Sequence, residues 1–164
     1  MLTTAEWEVE YEGMFDEWKA LVERFGDDTA VIIAGDWTFR DVTAHLNGWR
    51  EWTARRMEAA ANDFETPLPP WPGGMSEETA EGTDEINAWF VGTREPKEMP
   101  ALIEEAERQF ARILAALAAL PDEALAVTPS WLDGYPISAV LEGCIEHWEE
   151  HRAEPEAWLE AHNR

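Results

Sequence analysis

What most constrains this chain is the way apolar residues return every third or fourth position, stretch after stretch. Between Thr4 and Phe25, Trp7, Tyr11, Met14, Phe15, Trp18, Leu21, Val22 and Phe25 recur at helical spacing. Gly26 then offers a stop. A second helix has the clearest start. In Thr38-Phe-Arg-Asp41 the threonine hydroxyl is placed to accept from the third helical N–H, and the aspartate to reach back. Trp37 and Val42 flank this box as a hydrophobic staple. The stripe continues through Phe39, Val42, Leu46, Trp49 and Trp52, with His45 inside it, and fades by Ala61 or Asn62. A third helix is expected from Met99 to Leu120, stopped by Pro121. A fourth starts near Pro136, a residue suited to a first turn, and carries Ile137, Val140, Leu141, Cys144, Trp148 and His151. Pro155 is expected to kink it or to break it before Trp158.

Between the second and third helices, residues 63–97 lose the pattern. Pro67, Pro69, Pro70, Pro72, Gly73 and Gly74 exclude a regular helix there. A short helix, Asp84 to Val91 capped by Thr83, is expected within it. A connection this long is either a functional lid or a plain surface crossover. Four long amphipathic helices and no strand signal predict an all-α four-helix bundle, residues 1–164 forming one domain.

Composition narrows the function. The net charge of −23 repels phosphate backbones and acidic membrane surfaces, so neither nucleic acid nor membrane is an expected partner. No apolar run reaches the roughly 18 residues of a membrane span. The start MLTTAEWEVEYEG lacks a signal-peptide pattern, and the single Cys144 has no internal partner, so a cytoplasmic location is expected. Ten tryptophans are explained first by core packing. Exposed ones among them would favour a homodimer. Trp71, in PLPPWPGG, lies on no helical face and is a candidate pocket wall, as are Trp49, Trp89 and Trp148.

His147 and His151 stand one helical turn apart and project from one face. With His45 from a facing helix they would complete a triad around a divalent ion, leaving positions open for water or substrate. The competing reading makes each a hydrogen-bonded core or half-exposed histidine, and pattern alone leaves both open. His147-Trp-Glu-Glu-His151 also matches H-x-x-E-H of inverted zinc peptidases. Too little chain follows for that architecture. Glu150 is nonetheless the candidate catalytic carboxylate, placed to orient a ligand or accept a proton from bound water. Cys144, one turn before His147, reads first as an inert buried thiol.

GDWTFRDVTAHLNGW resembles the helix-two signature of the DinB-like (DinB/YfiT) superfamily, W-[ST]-x-x-D-[VL]-x-x-H-[LI]-x-x-W. EHWEEHRAEPEAWL resembles its helix-four signature, and TDEINAWF with ALAALPDEAL is similar to the ClbS/DfsB-type branch. The resemblance covers nearly the whole chain in order. It implies an up-down-down-up bundle with the long crossover between helices two and three. It also implies a divalent metal, zinc or nickel, held by His45, His147 and His151. The activities it implies are hydrolysis or transfer dependent on a low-molecular-weight thiol, in a frequently dimeric protein. The leading expectation is therefore a metal-dependent enzyme acting on a small molecule. The alternatives are a non-catalytic binding or sequestration protein and a metal-independent, ClbS-like self-protection hydrolase.

Overall fold

The computed structural model describes residues 2–163. Helix α1, Thr4–Phe25, opens on a capping box in which Thr3 and Glu6 bond reciprocally, and ends at Gly26, whose φ of 55° suits glycine. Then come β1 (Ile32–Ala34), β2 (Trp37–Thr38), α2 (Phe39–Ala61), α3 (Ala80–Arg94), α4 (Met99–Ala119), a 3-10 turn (Asp122–Ala126) and α5 (Ser138–Ala161). The Thr38–Asp41 box caps α2 as the sequence predicts: the Asp41 amide donates to the Thr38 hydroxyl, and the Asp41 carboxylate accepts from the Thr38 amide.

Four expectations need correction. The chain does contain strands. β1 and β2 pair antiparallel around Gly35 and Asp36, with Gly35 at φ 55°. The signal was Val-Ile-Ile-Ala-Gly-Asp-Trp, a β-branched run ending on a Gly-Asp turn. Its brevity hid it beside a strong helix start. The short helix is longer than predicted, running Ala80–Arg94, and its cap is Thr79 rather than Thr83. The Thr79 hydroxyl accepts from the Gly82 amide at 3.1 Å. Pro136 stands just before α5 instead of in its first turn, and α5 continues through Pro155 without a break. Finally, none of the ten tryptophans is exposed, which removes the surface tryptophans as a reason to expect a homodimer.

Helices α1 and α2 each pack against both α4 and α5, and α3 lies on α2. The main core holds Trp18, Tyr11, Phe25, Phe39, Phe110, Leu102 and Ile113, all essentially buried. A second small core forms where the crossover folds onto α2: Trp52, Trp71, Ile86 and Phe90, with Trp49, Met75 and Trp89 against them. The crossover is therefore anchored at Trp71 and Met75, although most of residues 62–79 are exposed. Arg55 donates to the carbonyls of Leu68 and Pro69, and Trp131 to that of Phe64. Among the described residues no helix is long and apolar enough to cross a membrane.

The end of α3 is tied to α4 through Glu105, which accepts from Arg94 at 2.8 Å and Lys97 at 2.9 Å. Burial alone would raise the Glu105 carboxyl, but the two cations outweigh it and hold it below the usual glutamate value. A depressed folded-state pKa stabilises the fold above the unfolded-state value and loses that contribution as pH falls. Below pH 4.5, the ordinary glutamate value, the urea midpoint should therefore drop more steeply for the wild type than for Glu105→Gln. Parallel curves would show that this cluster does not contribute.

Candidate metal centre

Helix α2 presents His45 and α5 presents His147 and His151, and the packing of α2 on α5 brings the three together. His45 Nε2 lies 2.8 Å from His147 Nε2 and 3.1 Å from His151 Nε2. The rings meet edge to face, with interplanar angles of 70° to 82°. Imidazole nitrogens bind zinc at about 2.1 Å, so two ligands stand about 3.0 Å apart at a right angle and about 3.4 Å apart in tetrahedral geometry. The two His45 spacings lie near the short end of that range, and one nitrogen of each of the three rings lies within 4.8 Å of the others. Three histidines so placed can hold a metal ion.

Electrostatics prepares the donors. Burial, then the neighbouring imidazoles, push His45 down to about 2. Burial, then His151 and Arg50, push His147 down to about 3. Burial lowers His151 too, opposed by Glu154 and then Glu150. All three rings are thus neutral near neutral pH, with lone pairs free for a cation. His45 Nδ1 is buried without a protein partner, so the outer-sphere hydrogen bond common for a ligand histidine is missing on that ring. Position comes instead from packing: the Trp37 ring lies 4.9 Å from that of His45. The β1–β2 ribbon delivers Trp37 to that spot.

The centre opens into a cavity of ≈ 470 Å³, within the size range of small-molecule sites. Trp49, Trp148 and Glu150 are among the residues that line it. Trp49 is fixed by its Nε1–H bond to Asn87 Oδ1 at 2.8 Å, and Trp148 by one to Glu17 at 3.2 Å. Glu150 is exposed on the wall. Trp71 lines a second cavity of ≈ 710 Å³ instead, its ring 5.7 Å from Trp49 and 5.3 Å from Trp52. Trp52 and Arg56 border both cavities. Trp89 is outside both linings and packs on Phe90. Cys144, expected to be buried, is half-buried and lines the first cavity, outside the three-histidine group.

Sequence reasoning missed several residues here. Trp37 read only as a staple, and Glu154 as one carboxylate among many. Arg50 and Arg56, which line the cavity, carry no signal in an acidic chain where an arginine reads as a surface ion-pair partner.

No curated protein and no solved structure matches the chain. The family model described as the DinB superfamily matches residues 2–154; it does not single out the ClbS/DfsB branch. That span takes in the capped start of α2, both histidine-bearing helices and the crossover between, and the chain belongs to the DinB superfamily.

Proposed function

We propose that the protein is a metal-dependent enzyme acting on a small molecule, by hydrolysis or by thiol-dependent transfer. The observation that carries this reading is the convergence of three neutral imidazole nitrogens at the wall of a tryptophan-lined cavity. Zinc or nickel suits a set of imidazole donors. A divalent ion bound there would act as a Lewis acid and lower the pKa of a water or thiol. His45, His147 and His151 would hold it from one side. Trp49 and Trp148 would exclude bulk water and bound the substrate, with Trp71 behind Trp49. Trp89 would act only through Phe90. Glu150 would accept a proton at the cavity edge. The same reading takes α1, α2, α4 and α5 as an up-down-down-up bundle, supported by the contacts of α1 and α2 with both α4 and α5.

The test is spectroscopic. Cobalt-loaded protein should take up about one ion per chain, and its visible spectrum should change when a small thiol or azide is added, because a three-histidine site leaves positions open. A bound ion whose spectrum ignores both would sink the catalytic reading and leave sequestration. No uptake at all would sink the metal. A metal-free ClbS-like activity would instead survive complete chelation.

A further inference from the structure

Arg50 is the second chemical feature of the cavity. It is 3% exposed and lines the same space as the histidines. Nine of the described basic side chains sit in ion pairs; Arg50 sits in none. Its one hydrogen bond runs from Nη1 to Asn47 Oδ1 at 2.7 Å, and its Nε–H is buried without a partner. Of the groups whose charge reaches it, Cys144 is a thiol on the wall of the same cavity, and Glu105, a carboxylate, is already held by Arg94 and Lys97. Tyr11 is no counter-ion either. Its hydroxyl donates to the Leu141 carbonyl at 3.2 Å, and burial raises its pKa well above the usual phenol value.

A guanidinium stays charged when buried, and a buried charge without a partner is costly. In a chain with 35 acidic residues a carboxylate partner was readily available. The fold instead holds the cation rigidly and leaves it open. Asn47 is fixed by its Nδ2–H bond to the Leu102 carbonyl at 2.8 Å, so its oxygen is aimed at Arg50. The guanidinium carbon lies 4.5 Å from the Phe110 ring centre and 5.9 Å from that of Trp18. Aromatic faces thus support the fork, and the Nη hydrogens that Asn47 does not take are the donors left for a ligand.

We propose that Arg50 is the anion anchor of this cavity and that its ligand is a small monocarboxylate with an apolar body. One planar cation matches one carboxylate, bidentate and singly charged. A phosphate dianion would exceed the single charge of Arg50. The tryptophan walls match an apolar body. The inference builds on the reading of this cavity as a small-molecule site, but not on the metal.

The experiment uses phenylacetate and its neutral analogue phenylacetamide as probes. Binding is followed by calorimetry and tryptophan fluorescence on metal-free protein. Phenylacetate should bind at least roughly tenfold more tightly than the amide, because the amide leaves the guanidinium unpaired. Arg50→Met should erase that preference. Asn47→Asp, which keeps the arginine but gives it an internal carboxylate, should erase it too, and decides the matter if Arg50→Met does not fold. The triple His45, His147, His151→Ala variant should keep the preference. Failure of the metal reading thus leaves this result intact, and the reverse also holds. Equal binding of acid and amide by the wild type, or no phenylacetate binding at millimolar concentration, overturns the proposal.

Discussion

Replacing His147 by alanine will abolish tight metal binding and leave the helical fold in place. His147 Nε2 is 2.8 Å from His45 Nε2, and among the described residues the three histidines form the only such group. Two nitrogens remain after the change, and no neighbouring carboxylate or thiol belongs to the cluster to replace the third. Losing even an outer-sphere partner of a ligand costs about 10–100-fold in affinity, so losing a ligand should cost at least roughly 100-fold. Thermal unfolding with and without zinc or nickel reads this directly. Metal at a thousand times its dissociation constant stabilises the folded state by about 4 kcal/mol, a rise in Tm of roughly 8–16 °C for a chain of this size. The wild type should show that rise and His147→Ala should not. His162→Ala is the control: its Nδ1 lies 2.7 Å from the Trp158 carbonyl near the end of α5, and the metal-induced rise should survive. A full rise in His147→Ala would mean that the metal sits elsewhere.

Gly48→Ala will destabilise the protein by about 2–3 kcal/mol, while the same change at Gly13 will stabilise it by about 0.5–1 kcal/mol. Both glycines lie within helices, where alanine is intrinsically favoured. The difference is tertiary. A Cβ on Gly13 meets nothing within 4 Å, whereas one on Gly48 would sit 2.1 Å from Phe90 Cγ. The Phe90 ring cannot move aside. It is fully buried, with Trp49 at 5.5 Å, Trp89 at 5.5 Å and Trp71 at 6.0 Å. Relief must come from displacing α3 off α2, which would also move Trp49, the cavity wall. Thermal melts should show Tm lower by roughly 4–12 °C for Gly48→Ala and slightly higher for Gly13→Ala. Gly48→Ala should also weaken any cavity ligand. An unchanged Tm would mean that the two helices are not held at this distance in solution.

The long helices were legible because their apolar stripes and caps are local signals. The bounds of α1, and the Thr38 start and Asn62 end of α2, follow from residues within a turn or two of each terminus. The ribbon was not legible. Its three- and two-residue strands bury too little to show periodicity, and their pairing is held by the turn and by the packing of β1 on α5. Helix α3 began earlier than predicted because Thr79 and Thr83 are both acceptable caps: the Thr79 hydroxyl accepts from the Gly82 amide, while that of Thr83 donates to the Glu77 carbonyl. At the site, the three histidines were named from their spacing, since a four-residue interval places His147 and His151 on one helical face.

The sequence by itself determined the four long helices, the Thr38–Asp41 cap, the crossover and the candidate ligands, because each depends on interactions within a few residues along the chain. Only the tertiary structure decided that the His45, His147 and His151 nitrogens lie within 4.8 Å of one another, since His45 is 102 residues from His147 and no local rule sets the rotation of α2 against α5. It alone separated the four tryptophan candidates, placing Trp49 and Trp148 on the cavity and Trp71 and Trp89 behind or beside it. It alone left Arg50 without a carboxylate. Whether a charge is paired depends on what other elements bring within 4 Å of it, and in a chain this acidic nothing in the residue order distinguishes Arg50 from the arginines that are paired.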